Sequence, residues 1–281
     1  MKGANLFRQH WAALRALLVF TVILGVGYPL LIWLLAQLPG LHDKAQGSVI
    51  RVDGKPVGSR LIGQSFSDAA GNPLPQYFQP RPSASGYDPL ASGGSNLGPE
   101  DIVDTAARKS LLTLVCSRSK VVGDLEGVDG SRPFCTGSGV GAVLSVIGPR
   151  DDRGNVVHPT RVVSVNEPCT TTGRPFLNSY NGIRVECARA GEDYSAGQLV
   201  PIRGAAPTDP RVPADAVTAS GSGLDPDISS AYAEIQVDRV ARVRHVTAEQ
   251  IRAVVRQTGG NRVNVLVLNL ELDRKYPLTG G

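Results

Sequence analysis

Ser117 and Lys120 stand in the string Ser117-Arg118-Ser119-Lys120, the S-x-x-K spacing in which a lysine can take the proton of a nucleophilic serine. Ser179-Tyr180-Asn181 supplies an S-x-N string of the kind that accompanies it. The third element of such acyl-serine chemistry, a Lys-Thr-Gly triplet downstream of both, is missing. The nearest match, Thr171-Thr172-Gly173, lacks the lysine and precedes Ser179. Gly137-Ser138-Gly139-Val140-Gly141-Ala142 fits the loose form of a dinucleotide fingerprint, but no convincing strand leads into it, so a β-turn is expected there. Ser92-Gly93-Gly94-Ser95-Asn96 and Ser220-Gly221-Ser222-Gly223 each precede a helical pattern and could present successive N–H groups to an anion. Neither carries the lysine and hydroxyl of a phosphate loop, and loop geometry with N-capping accounts for both. The four histidines (His10, His42, His158, His245) are scattered, with no Ser/His/Asp arrangement, no metal-ligand spacing and no Cys-x-x-Cys beside them. No catalytic residue and no metal site are assigned.

The elements that carry these residues begin with residues 16–41, which contain no charged side chain. That length of helix reaches about 39 Å, against a hydrocarbon core of roughly 30 Å. It is too long for the apolar core of a cleaved signal, and its exit lacks a small-x-small cleavage pattern. It is read as one uncleaved transmembrane helix. Lys2, Arg8 and Arg15 precede it, whereas Asp43 and Lys44 nearly cancel beyond it. This bias predicts a cytoplasmic N-terminus, residues 1–15, and an extracytoplasmic domain after the span. Thr21, Gly25 and Gly27 are small residues that would let another helix approach, and Pro29 is expected to kink the span or force a local adjustment. All four cysteines, Cys116, Cys135, Cys169 and Cys187, follow the anchor. An even number in an exported domain predicts two disulfides. Local pairing, Cys116 with Cys135 and Cys169 with Cys187, is expected among the three pairings that four cysteines allow.

The formal net charge is +4, with no Lys/Arg run and little aromatic interleaving, so nucleic-acid binding has no sequence support. The chain also carries 32 glycines and 20 prolines, which predicts many turns. Val49–Val52 and Leu61–Phe66 are read as a hairpin about the turn at 53–56, and 71–99 as an ordered irregular loop packed by Tyr77, Phe78 and Tyr87. Pro99, Glu100 and Asp101 are expected to open a helix reaching about Leu114. From 113 to 207 short strand patterns (140–147, 161–165, 182–187, 198–202) alternate with turn clusters, which reads as a β-rich, disulfide-stapled insertion. After it come a helix from Ser229 to about His245, a second helix opened by a Thr247/Gln250 capping box, and a covered strand over 262–272. The fold class is α/β (α+β). The segments are 1–15, a membrane helix over 16–41, a first domain part over 42–112, the insertion over 113–207, and a second domain part over 208–281.

Six strings, 61–66 (LIGQSF), 77–84 (YFQPRPSA), 92–99 (SGGSNLGP), 217–229 (VTASGSGLDPDIS), 236–241 (QVDRVA) and 263–270 (VNVLVLNL), together resemble the C subunit of the Kdp-type potassium-transporting ATPase. The Tyr28-Pro29 pair in the span fits as well. The resemblance covers about 1–112 and 208–274, and the stretch between lies outside it.

What the resemblance implies is a non-catalytic subunit of a bacterial plasma-membrane pump, with one helix in the membrane and an extracytoplasmic α/β domain. Its partners would be a P-type ATPase subunit that hydrolyses ATP, a channel-like potassium-selecting subunit and a very small membrane subunit. The complex would use ATP, magnesium and potassium. The family is described as a catalytic chaperone that raises ATP affinity, with nucleotide binding proposed. An extracytoplasmic domain would be out of reach of that ATP, so coupling through the membrane helices is the simpler expectation. Arg81, Tyr87, Ser95, Asn96, Ser222, Asp225 and Asn264 match the family strings and are expected either to contact another subunit or to shape their loops. The competing readings are an anchored exported acyl-serine enzyme of penicillin-binding type, which requires Ser117, and a tethered adhesion or solute-binding module built on the insertion.

Overall fold

The computed structural model describes residues 2–167, 169, 173–189 and 191–278. The chain divides into two compact units, residues 1–61 and 62–281.

In the first unit, helix α1 (Lys2–Val22) passes through a π-helical turn (Ile23–Gly27) into α2 (Tyr28–Ala36). The Tyr28 N–H donates to the Ile23 carbonyl, five residues back. Pro29 has no N–H to give, and its ring presses on the carbonyl four residues earlier, so the widened turn absorbs it without breaking the helix. The helical run Leu6–Ala36 is long and apolar enough to cross a membrane. It is exposed along its length, including Phe20, Leu24 and Trp33, as a lipid-facing helix would be. Within the expected span over 16–41, residues 16–36 are helical. Helix begins near the N-terminus and stops at Ala36, because Pro39 and the left-handed Gly40 (φ 83°) break the following residues into turns.

After α3 (His42–Ala45), strands β1 (Val49–Val52) and β2 (Lys55–Ser59) form an antiparallel hairpin with Val52 opposite Lys55. Asp53 and Gly54 both have positive φ (50° and 77°), the geometry of a two-residue type I′ turn. That tight turn places the return strand at 55–59, and Leu61–Phe66 is not a strand.

The second unit has two apolar cores. The first is formed by α5 (Ser230–Val243), α6 (Ala248–Thr258) and α7 (Val265–Lys275), with Phe78, Val237, Val240, Ile251, Leu268 and Leu272 buried among them. A short ribbon of β8 (Asp227–Ser229) and β9 (Arg262–Asn264) ties the start of α5 to the start of α7. Helix α4 (Leu111–Glu126) lays Val115 and Val122 on the same core.

The second core belongs to a five-stranded sheet of order β5-β6-β4-β3-β7, comprising β3 (Val143–Ile147), β4 (Arg161–Ser164), β5 (Ser179–Tyr180), β6 (Ile183–Cys187) and β7 (Gln198–Pro201). Neighbours are antiparallel except β4 and β6, and Leu144, Val146, Val162 and Val185 fill one face. Disulfides join Cys116 to Cys135 and Cys169 to Cys187, with Cα separations of 5.4 and 5.9 Å. The expected local pairing is the one observed.

Three sequence expectations are corrected. Residues 99–110 are not helical, and the helix starts at Leu111, after Ser110, whose Oγ caps the Thr113 N–H. Upstream, side chains compete successfully for the backbone. Asp104 Oδ1 accepts from the Ser110 N–H (2.9 Å), Asn166 Oδ1 accepts from the Asp104 N–H (2.8 Å), and Asn166 Nδ2 donates to the Ile102 carbonyl (2.7 Å). Consequently residues 113–126, read as the start of a β-rich stretch, are helix. Likewise only 262–264 of the expected strand over 262–272 is extended. Asn264 caps α7 by accepting from the Val267 N–H, and its Val/Leu run packs with helical spacing through Val265, Leu268 and Leu272. The capping box of Thr247 and Gln250 forms as read.

Candidate functional site

The 77–99 and 217–229 loops lie side by side and are bonded along their length. Gly93 donates from its N–H to the Ser222 carbonyl (2.8 Å), as does Ser92 Oγ (3.0 Å). Ser83 Oγ donates to the Gly223 carbonyl (2.7 Å). A third segment joins them where the Gly63 N–H meets the Leu224 carbonyl (2.8 Å). Gly63 has no room for a side chain: a Cβ would sit 2.6 Å from both the Asp225 carbonyl oxygen and the Tyr87 ring. Gly223 is left-handed (φ 68°), a conformation that favours glycine.

Charge closes the junction. Asp225 receives Arg81 at 2.8 Å and Arg262 at 3.2 Å, and Asp227 receives Arg262 at 3.6 Å. Asp225 and the Arg81 side chain are largely buried, so this pair is less screened than a surface one. Tyr87 adopts a left-handed backbone (φ 63°), unusual for an aromatic residue. Ser83 Oγ holds it there by accepting from its N–H (2.9 Å), and its hydroxyl donates to the Arg81 carbonyl. Burial pushes the Tyr87 phenol above its ordinary range, with the Asp225 carboxylate adding to the effect, so it stays protonated as a donor.

The structure thus brings Arg81, Tyr87, Ser222 and Asp225 into one junction. Asn264 joins it at the ribbon, its Nδ2 donating to Asp227 (3.3 Å). Ser95 and Asn96 lie beside it on an exposed stretch, with Asn96 left-handed (φ 54°). Thr21, Gly25, Gly27 and Pro29 lie in the exposed apolar helix, Gly25 and Gly27 within its π turn. All four cysteines are disulfide-bonded.

Ser117 and Lys120 do not form a nucleophile and base. Ser117 Oγ donates to the Leu114 carbonyl (3.1 Å), while Lys120 Nζ pairs with Asp124 (2.8 Å). Among the described residues no group of three or more His, Cys, Asp or Glu could hold a metal ion.

Sequence reasoning missed the polar frame beneath this junction. The backbone at 75–79, a turn at 75–77 followed by an irregular stretch, runs through the first core with no strand beside it, and side chains supply its partners. Gln236 Oε1 accepts from the Gln79 N–H (2.6 Å) and its Nε2 donates to the Gln79 carbonyl (3.1 Å). Asn269 does the same for Phe78, at 2.9 and 3.0 Å. Arg239 donates to the carbonyls of Pro75 (2.5 Å) and Tyr77 (3.0 Å), to Gln236 (2.9 Å) and to Glu126 (2.9 Å). Arg244 reaches the Gln76 and Tyr276 carbonyls and Asp273, and its guanidinium lies over the Tyr77 ring. Arg239 and Arg244 are therefore buried connectors. The available signal was Gln236 and Asn269 sitting on otherwise apolar helix faces.

Residues 10–117 and 198–274 match the family model described as the K+-transporting ATPase c chain, KdpC. This chain belongs to that family. Three subunits named as potassium-transporting ATPase KdpC are similar to it over almost their whole length. The one from Kineococcus radiotolerans is 33% identical over 97% of both chains. The one from Beijerinckia indica is 31% identical over 94% of this chain and 92% of its own. The one from Mycobacterium tuberculosis is 32% identical over 95% and 98%. The family model contains the whole loop junction and its polar frame apart from Glu126 and Tyr276. It leaves 118–197 unmatched, whereas the three full-length relatives align across nearly the entire chain.

Proposed function

We propose that this chain is a membrane-anchored, non-catalytic accessory subunit of a Kdp-type potassium-transporting ATPase. The observation that carries the reading is the family match over residues 10–117 and 198–274, which includes the 63, 81–93 and 222–225 junction. That junction is a hydrogen-bonded surface whose Ser83 and Ser92 hydroxyls and Arg81–Asp225 pair are engaged in holding its loops together. It suits docking better than turnover.

In this reading the helix Leu6–Ala36 lies in the plasma membrane with the N-terminus cytoplasmic. The domain after it is extracytoplasmic, supported by Arg8 and Arg15 on the N-terminal turns of that helix, ahead of its uncharged part from residue 16, and by two disulfides after it. The subunit holds the ATP-hydrolysing subunit, the channel-like subunit and the very small subunit together. Any rise in ATP affinity reaches the catalytic subunit by linkage, through differential contact with two pump states. Magnesium, ATP and potassium belong to the complex.

The test is co-purification from membranes of potassium-starved cells in mild detergent, with a tag at the C-terminus. A P-type ATPase and a polytopic partner in fixed ratio are expected. Recovery of the chain alone, with no partner, would sink the reading. Orientation is tested separately by protease added to intact spheroplasts, which should remove the domain and leave the N-terminus protected.

A further inference from the structure

A cleft that borders the loop junction, sharing Arg81, Ser83 and Tyr87 with it, lies between α4 and the 65–87 segment. Its volume is about 490 Å³, and its lining includes Arg81, Arg118, Ser117, Val121 and Tyr232. Three of these residues present unused hydrogen-bond donors. Arg118 Nη1 donates to the Val217 carbonyl (3.0 Å), and among the described residues no carboxylate lies within ion-pair distance of its half-buried guanidinium. Arg81 is anchored by Asp225 and by the neighbouring Thr218 carbonyl (3.4 Å), but its Nε is buried without a partner. Tyr232 is 3% exposed, and its N–H is bonded while its hydroxyl has no hydrogen-bond partner among the described residues. Burial pushes that phenol above its ordinary range, which keeps it a donor.

Val217 and Thr218 are consecutive, and their carbonyls accept from Arg118 and Arg81 respectively. A half-buried guanidinium without a carboxylate partner favours an anion beside it, and arginine's planar fork suits carboxylate and phosphate oxygens. Asp225 neutralises Arg81 while also serving Arg262, which leaves Arg118 as the uncompensated charge of the cleft. Pro80, Pro82 and Val121 give the cleft apolar walls able to take the organic body of such a ligand.

We propose that this cleft is a binding site for a small oxyanion, phosphate or carboxylate, held by Arg118, the free edge of Arg81 and the Tyr232 hydroxyl. The anion could be free in solution or could be the phosphodiester of an anionic lipid headgroup. The site does not depend on the pump reading above.

The test uses the full chain in phosphatidylcholine nanodiscs. Inorganic phosphate is titrated by calorimetry against chloride of equal ionic strength, and parallel discs contain phosphatidylglycerol, with the thermal midpoint as readout. Saturable phosphate binding would indicate a free anion, and stabilisation only by phosphatidylglycerol would indicate a headgroup. Arg118→Gln should weaken either effect by roughly tenfold or more, as expected for loss of a charged hydrogen-bond donor. Tyr232→Phe, which removes one oxygen and keeps the ring, should weaken it by about three- to tenfold. Arg256→Gln, on an exposed face of α6, should change nothing. The proposal fails if neither anion source has a saturable effect, or if Arg118→Gln binds as the unaltered chain does. Should Arg118→Gln not fold, Tyr232→Phe decides: unchanged binding in that variant overturns the site.

Discussion

Gln236 and Gln79 form a two-point amide-to-backbone pair in the middle of the first core, at 2.6 and 3.1 Å, with no β-strand involved. Asn269 repeats the arrangement one residue earlier, on Phe78. A buried segment that belongs to no sheet must find partners for its peptide groups, and two helices lend it side chains for that purpose. This segment leads straight into Arg81 and the loop junction, so the frame fixes where the junction sits.

Gln236→Met keeps the volume and removes the pair. It leaves the Gln79 N–H and carbonyl buried without that partner and takes an acceptor from Arg239. The expected loss is about 2–3 kcal/mol, from unmet desolvation of buried polar groups. Thermal unfolding of the full chain in detergent, followed by circular dichroism, measures it. A loss below about 0.5 kcal/mol would show that water replaces the amide.

Arg239→Met should cost about 3–5 kcal/mol, because it strands Glu126 as a buried charge. Burial already raises the Glu126 carboxyl, while its hydrogen bond to Arg239 and the Arg239 charge pull it back down. Without Arg239 the folded-state value rises further above the unfolded one. Stability tied to a raised carboxyl is fully present below the unfolded value and is lost as pH rises through the folded value. The deficit of Arg239→Met is therefore expected to be larger at pH 8 than at pH 5. Melts at the two pH values check the sign, and a deficit that shrinks on going to pH 8 would contradict it.

Gly63→Ala should loosen the junction. The added Cβ meets the Asp225 carbonyl and the Tyr87 ring at 2.6 Å, so either the 62–63 backbone or Tyr87 must move. Overpacking of this kind costs about 1–3 kcal/mol. Faster cleavage of the exposed 88–92 stretch in limited proteolysis is expected, together with weaker retention of partner subunits on purification. Wild-type cleavage kinetics would show that the junction accommodates the methyl group.

Replacing Cys169 and Cys187 together by serine should cost about 3 kcal/mol in the chain-entropy description of disulfides. The Cys116–Cys135 pair should behave alike, since its loop is of similar length. In the unaltered chain, maleimide labelling before reduction should find no thiol. Free thiols at full occupancy in cells would argue for a reducing compartment and against the proposed orientation.

Legibility in the sequence followed the range of the forces involved. The membrane segment, the capping box, the four main strands of the sheet and the disulfide pairing are local, carried by apolar runs, side-chain caps and short loops. Residues 99–110 were misread because the acids that suit a first helical turn serve here as acceptors and ion-pair partners, Asp104 for Ser110 and Asp101 for Arg108. Residues 265–272 were misread because a Val/Leu run satisfies both periods, and the Asn264 cap settles it. At the junction, the family strings pointed to Arg81, Tyr87, Ser222 and Asp225, but not to how they meet. Their contacts join positions more than a hundred residues apart, and no periodicity encodes that.

The family model breaks off at residue 117 and resumes at 198. The first point falls inside α4, one residue past a disulfide-bonded cysteine, and the second is the first residue of β7, which pairs with β3. The intervening sheet is therefore spliced in without a linker at either seam. Excising it would cut a helix that covers the first core, strand Cys116 and leave an unpaired strand edge. It is grafted tissue rather than an ornament, and a shortened relative would have to rebuild both seams to dispense with it.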